Sequence, residues 1–243
     1  MAAPIPLSNI LFLDIETVSQ LEDYESLAPE WKAHWDHKSS FLIKNKEVET
    51  SESIYGKAAI YAEFGKIVCI SCGIIQGIEA NKKMSIKSFF GDDEKTILQE
   101  FTEMLNRWAC DNTKFLCAHN GKEFDFPYLC RRLIVHQMPL PAILQLAARK
   151  PWEIPHIDTL ELWKFGDYKN YTSLNLLACT LDVPTPKDDI DGSMVGQVYW
   201  KEKNIERIAT YCQKDVITVA QVYLRMYNET LIKPENIEYR VSG

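Results

Sequence analysis

The chain has 243 residues, with 27 basic and 34 acidic side chains and a formal charge of −7. Apolar residues make up 46% and charged residues 25%, ordinary proportions for a soluble globular protein, which exclude a mostly disordered, collagen-like or coiled-coil chain. The length allows one large domain or two small ones.

In chain order, Asn9 to Asp14 is a short apolar run ending in polar residues, the pattern of a buried strand. The polar and mixed stretch from Thr17 to Glu63 is too long for an ordinary loop and is expected to be an insertion with structure of its own. Within it Trp31 and Trp35, four apart, predict a short amphipathic helix that either covers a site as a flap or packs the insertion onto the domain. Phe64 to Ile75 and Met84 to Phe90 predict two strands, with Gly77 as turn punctuation between them. Glu94 to Trp108 carries Ile97, Leu98, Phe101, Leu105 and Trp108 at helical spacing, with Asp92 and Asp93 placed to cap it. A short strand is predicted at Lys114 to Ala118 and a helix from about Phe126 to Val135. After a proline-rich connection, Pro139 to Pro155, a helix is predicted at Thr172 to Leu181, with Pro184 and Pro186 breaking the pattern. A last long helix runs from about Ile205 to Tyr227. Strands first, then interleaved helices, predict an α/β fold with a mixed sheet, with residues 1–243 as a single domain carrying an insertion at about 17–63.

Seven cysteines, an odd number in mostly apolar surroundings, suit reduced buried thiols and a cytoplasmic protein. Cys69 and Cys72 form a CxxC in a β-rich run, where residues three apart point to opposite faces, so no zinc site is expected there. No run of about 18 apolar residues is present, so no membrane span is expected. Met1 to Leu7 lacks a basic segment followed by a long apolar one, so no signal peptide is expected either. The acidic total disfavours a histone-like or tail-driven nucleic-acid binder, yet is compatible with an enzyme whose carboxylates hold metal.

Three groups of residues carry chemistry. Asp14 and Glu16 flank Ile15 at the end of the first strand; alternation puts both carboxylates on one face, where they repel and raise each other's pKa unless a cation relieves them. The alternative is a solvated strand end. Asp125 stands where Ala118-His119-Asn120-Gly121-Lys122-Glu123-Phe124-Asp125 leads from a strand into a helix. It serves either as that helix's N-cap or as a carboxylate at the mouth of a sheet, where ligands of α/β folds gather. Tyr211 and Asp215, four apart on the last helix, share a face beside the apolar stripe of Ile208, Ala209, Cys212, Val216 and Val219; alone they read as a surface Asp near a core-facing Tyr.

Together, Asp14 and Glu16, then Asp125, then Tyr211 with Asp215 resemble the three motifs of the DEDDy 3′–5′ exonucleases, and most of all the stand-alone exonucleases related to the exonuclease domain of family B DNA polymerases. The run Phe124-Asp125-Phe126-Pro127-Tyr128-Leu129, the segment His156-Ile157-Asp158-Thr159 and the segment from Lys187 to Val195 carry the likeness further. It extends from about residue 8 to 230 and departs from the proofreading domains at Thr17 to Glu63. The resemblance implies a ribonuclease-H-like fold and a metal-dependent 3′–5′ exonuclease that acts on the 3′ end of single-stranded nucleic acid, DNA favoured, and releases nucleoside 5′-monophosphates. It implies Asp14, Glu16, Asp125 and Asp215 as ligands of two divalent ions, Mg²⁺ or Mn²⁺. Asp14 would bridge the ions, Glu16 and Asp215 would complete the first site, and Asp125 would support the second. Tyr211 would orient the attacking water. Such chemistry suits oxygen ligands and two ions about 4 Å apart that serve the attacking and leaving oxygens.

Ile15 and Thr17 beside the first carboxylates, and Asn120 and Phe124 before Asp125, are the candidate contacts to the terminal nucleotide; core packing is the alternative for Phe124. Lys122, Lys169 and Lys214 are candidate phosphate contacts. Asp158 is expected to cap a helix, and Asp188, Asp189 and Asp191 to form a loop and a cap. The alternatives are an exoribonuclease with the same chemistry, a catalytically silent nucleic-acid-binding module and, more distantly, a two-metal phosphatase.

Overall fold

A computed structural model of the chain describes residues 5–45, 47–167, 171–184 and 190–240. Lys169, Asp188 and Asp189 lie outside them. The first strand, β1 (Ile10–Ser19), runs five residues beyond Asp14. It continues because it pairs antiparallel along its length with β2 (Gly65–Gln76), with a register shift between Glu16 and Thr17. β2 pairs antiparallel with β3 (Lys83–Phe90). On the other side of β1 stand β4 (Phe115–Ala118) and the two-residue β5 (Ile157–Asp158), both parallel to their neighbours. A strand that the sequence pattern did not suggest, β6 (Ile237–Arg240), lies parallel to β3 and closes the order β5-β4-β1-β2-β3-β6.

Helices cover both faces. Side chains alternate along β1, so Leu11, Leu13 and Ile15 face one layer and Phe12, Asp14 and Glu16 the other. The first layer holds α2 (Glu94–Trp108) and α3 (Asp125–Val135), whose Ile97, Leu98, Phe101, Leu105, Phe126, Leu129 and Leu133 join Leu11, Leu13 and Ile15 in one core. The second holds α7 (Ile205–Met226), whose Val216, Ala220 and Tyr223 pack on Ile10 and Phe12. Gly73 of β2 lets α7 come close: a Cβ there would lie 3.2 Å from Val216 Cγ1, and only 2.3 Å from Met84 Cε. Between these, α4 (Thr159–Lys164), α5 (Leu174–Thr180) and α6 (Val195–Trp200) fill the remaining chain. α2 and α5 carry the side-chain N-caps that their sequences offer, Asp93 and Ser173.

The stretch between Ser19 and Gly65 contains the helix α1 (Pro29–Ser40). Trp35 is fully buried in a small core with Leu27, Ile54, Tyr55, Ala58 and Phe64, and its indole N–H donates to the Ser51 carbonyl at 2.8 Å. Trp31 stays 41% exposed with its ring edge-on to Phe64. Trp35 therefore packs the insertion on itself and on Phe64, rather than serving as either the flap or the anchor to the domain that the sequence suggested. The helix buries only Trp35 and Ser39, so it is held by one anchor rather than by an apolar stripe.

The end of this stretch is tied to the helices behind the sheet. Glu94 accepts from Arg132 Nε at 2.8 Å and from the Ile67 N–H at 2.7 Å, while Arg132 donates to the Ala62 carbonyl at 2.8 Å. Both ions are buried, and their hydrogen-bonding capacity is spent on each other, on backbone and, for Glu94, on His136 Nε2 at 2.6 Å, the condition under which such a pair is tolerated. Cys69 and Cys72 belong to cores on opposite faces of β2, as the alternation required, and all seven cysteines are free thiols. Among the described residues no helix is long and apolar enough to cross a membrane.

Candidate active site

β4 stops at Ala118, having paired only with Ile10, Leu11 and Phe12 of β1. Beyond Phe12 the β4 side of β1 is therefore open, and this gap is where the acidic residues collect. Asp14 and Glu16 project on the α7 side. The N–H of Ile15 between them points into the gap and donates to Asp125 Oδ1 at 3.2 Å. Asp125 is the first residue of α3; the capping position belongs to Phe124, which makes no side-chain cap. The carboxylate that could have capped its own helix instead satisfies a backbone donor of the strand that carries the first two acids.

Asp158 positions this corner. It caps α4 through Leu160 N–H at 2.9 Å, as expected, and also accepts from Asn120 N–H at 2.9 Å and Lys122 N–H at 3.0 Å. The loop leading to Asp125 thus hangs on one buried carboxylate. Asn120 takes the left-handed conformation there, φ 60°, which asparagine tolerates better than most residues. His119 completes the brace. Its Nε2 faces the Thr172 carbonyl at 2.9 Å and its Nδ1 the Thr159 hydroxyl at 2.9 Å. A carbonyl only accepts, so Nε2 carries the proton and Nδ1 receives the threonine's.

The third group arrives on α7. Cys212 packs against β1 and its thiol donates to the Asp14 carbonyl at 3.4 Å. Gln213 donates to the Ser88 hydroxyl at 2.9 Å, and Ser88 pairs with Ser71 at 2.8 Å, opposite Asp14 in the strand register. These contacts fix the rotation of α7, so that Tyr211 and Asp215 face the strand acids and the Tyr211 hydroxyl donates to Asp215.

The electrostatics follow from burial and crowding. Burial, then the charges of Asp215 and Asp125, hold the Asp14 carboxyl well above the usual carboxylate range. Burial, then Asp14 and Asp215, do the same to Glu16. Asp125 is pushed to about 7, first by burial and then by Asp158. Asp14 Oδ2 is buried and no group of the described residues donates to it. Ligand atoms of Asp14, Glu16 and the Cys212 thiol lie within 4.8 Å of one another. Buried carboxylates left without a proton, a donor or a counter-charge are costly. A divalent cation meets all three needs, so the residues fit a metal centre of hard, oxygen-ligand type. The three sequence segments converge: Asp14 and Glu16 share ligand range, and Asp125 and Asp215 stand within electrostatic reach of Asp14, with Tyr211 beside Asp215.

The four candidate nucleotide contacts are placed differently from one another. Asn120 and Phe124 are half-buried at the rim of the loop, with the Phe124 ring 5.4 Å from that of Tyr128. Ile15 has its side chain in the α2–α3 core, and Thr17 bonds the Tyr128 hydroxyl. Lys122 is largely buried in an ion pair with Glu161 at 2.7 Å rather than facing solvent. Sequence reasoning missed His119, Ser71, Ser88 and Gln213. Each is a polar residue on an element already predicted, and the distant partners that give it a purpose leave no local pattern.

The family model described as a predicted 3′–5′ exonuclease related to the exonuclease domain of PolB matches residues 60–237. That span contains Asp125, Tyr211 and Asp215, whereas Asp14 and Glu16 precede it. Among solved structures, the chain is similar to the family B DNA polymerase from the hyperthermophilic archaeon Pyrobaculum calidifontis, with a TM-score of 0.50 and 16% identity. The similarity covers 89% of this chain but 25% of the polymerase chain, so the protein spans about a quarter of that relative. At that identity the likeness concerns the fold, which is the ribonuclease-H-like arrangement expected. No curated protein matches the chain.

Proposed function

The chain belongs to the family of predicted 3′–5′ exonucleases related to the exonuclease domain of PolB, and from that premise we propose that it is a DEDDy-type hydrolase acting on the 3′ end of single-stranded nucleic acid, DNA in preference, and releasing nucleoside 5′-monophosphates. The observation that supports this reading is the convergence of carboxylates from three chain segments on a buried Asp14 oxygen that has no donor among the described residues.

Asp14, Glu16, Asp125 and Asp215 would hold a pair of divalent ions, Mg²⁺ or Mn²⁺. When bound, these supply a water of lowered pKa and charge for the attacking and leaving oxygens. The remaining work falls to the chain. Burial, followed by the charges of Asp215 and Glu16, pushes the Tyr211 phenol far above its ordinary value. It therefore keeps its proton, and we assign it the orientation of the attacking water through its bond to Asp215, not proton abstraction. Asn120 and Phe124 would meet the terminal nucleotide; Ile15 and Thr17 would reach it through their backbone, since their side chains are engaged on the other side of the strand.

We read residues 1–243 as one exonuclease domain with an insertion at about 17–63. Seven free thiols fit a reducing compartment, and we place the protein in the cytoplasm. The test is a gel assay with 5′-labelled single-stranded DNA and RNA of matched sequence, in Mn²⁺ or in EDTA. We expect a metal-dependent ladder that shortens by one nucleotide at a time, faster on DNA, and absent with Asp14→Ala while that variant keeps a cooperative thermal transition. A faster RNA ladder would make the enzyme an exoribonuclease. Intact oligonucleotides under every condition would leave a silent binding module.

A further inference from the structure

Between α4 and α5 the chain presents Tyr171 with 67% of its surface in solvent, outside every hydrophobic core of the described residues. Its ring leans edge-on against His119, centroids 6.5 Å apart and planes at 70°. His119 in turn grips the next residue, through its Nε2 proton and the Thr172 carbonyl at 2.9 Å, and is anchored below by Thr159. The phenol lies within the electrostatic reach of Asp125 and Asp158, which places it at the rim of the acidic site. An aromatic ring so exposed gains little for the fold, because most of its apolar surface remains in water. Yet it is braced at two points, which limits the conformational freedom a stacking partner would otherwise have to freeze.

We propose that Tyr171 is a base-stacking residue for the single strand whose 3′ end occupies the acidic site, with His119 as the residue that positions it. This rests on the exonuclease reading and adds to it. The bound base would cover the exposed face of the ring, a contact available to every base because each has a π-face. The strand would thereby be fixed at the rim while its terminal phosphodiester lies among Asp14, Glu16, Asp125 and Asp215. His119 suits the bracing role in its neutral form, and burial holds its pKa below the ordinary value.

The test uses a single-stranded DNA oligonucleotide with 2-aminopurine as its 3′-terminal base, titrated with the full-length protein in Ca²⁺, and the same oligonucleotide in Mn²⁺ for cleavage. Wild type and Tyr171→Phe are expected to bind alike and to quench the fluorophore. Tyr171→Ala is expected to lose the quench and to bind roughly 5- to 150-fold more weakly, the range for one lost stack. The cleavage defect of Tyr171→Ala should appear in KM. Unchanged affinity and quench in Tyr171→Ala, with wild-type cleavage intact, would overturn the stacking role and leave the exonuclease reading standing. A Tyr171→Phe defect as large as that of Tyr171→Ala would overturn it in favour of the hydroxyl. A wild-type protein that neither binds nor shortens the oligonucleotide would defeat both readings.

Discussion

Replacing Asp125 by asparagine isolates the electrostatic cost of the acidic site. Asparagine keeps an oxygen to accept from the Ile15 N–H, so the 3.2 Å bond at the gap in the sheet survives, and only the charge is removed. The sign follows from linkage. Asp125 has an ordinary value of 3.8 and is pushed to about 7 in the fold. Between those values the unfolded chain has released the proton and the folded chain retains it, so stability falls as pH rises through the interval and the loss is complete above about pH 7. The interval corresponds to about 4 kcal/mol. Asp14 and Glu16, whose carboxyls are pushed up in the same way, remain in the variant, so removing one charge should recover only about 1–3 kcal/mol of this. For a chain of this size that amounts to a rise of roughly 3–10 °C in Tm at about pH 8, shrinking toward zero at about pH 4. The assay is thermal unfolding by circular dichroism in EDTA across this pH range. Divalent cation should then raise the Tm of the wild type more than that of the variant, because the metal neutralises what the mutation has already removed. A variant less stable than wild type at about pH 8, or a gap that does not widen with pH, would refute the account of a repulsive, cation-seeking site.

Other outcomes are expected from the same geometry. Tyr211→Phe keeps the ring but loses the bond to Asp215, and kcat should fall roughly 10- to 100-fold with little change in KM, measured by steady-state cleavage. Trp35→Ala empties the small core beneath α1 and strips the Ser51 carbonyl of its donor; a loss of about 3–5 kcal/mol is expected, concentrated in residues 20–64 and visible as faster hydrogen exchange there than in β1 or β2. Gly73→Ala drives a methyl toward Met84, Ile86 and Val216; it should cost about 1–3 kcal/mol in urea unfolding and, by lifting α7, reduce activity as well.

The carboxylates could be read from the sequence because each stands where an element boundary is marked locally: the apolar run before Asp14, the Asn120-Gly121 turn before Asp125, and the helical stripe around Tyr211. α2 and α7 were equally plain, since long amphipathic periodicity survives any context. What failed to show was long-range. β1 appeared to stop at Asp14 because Glu16 and Thr17 interrupt its apolar run, and only pairing with β2 carries it to Ser19. β6 has four residues, mostly exposed, and its partner β3 lies about 150 residues earlier, so neither length nor pattern announces it. The two tryptophans predicted a helix correctly, but its lack of an apolar stripe makes its burial a property of residues 42–64, not of its own sequence. Asp125 looked like a cap because caps are local; its actual partner, the Ile15 N–H, is 110 residues away.

That distance bears on how the protein folds. The acidic site exists only once the chain has closed a loop of 110 residues from β1 to α3 and another of 198 from β1 to α7. Closures of that length are slow, and contacts that depend on them form late. The repulsion among the carboxylates is therefore met only as β1, α3 and α7 come together, the same step that builds the two main cores. A cation that binds only the finished site relieves a strain absent from the earlier ensemble, so it should slow unfolding far more than it speeds refolding. Metal would act on this protein as a latch, extending the lifetime of the native state without guiding the chain toward it.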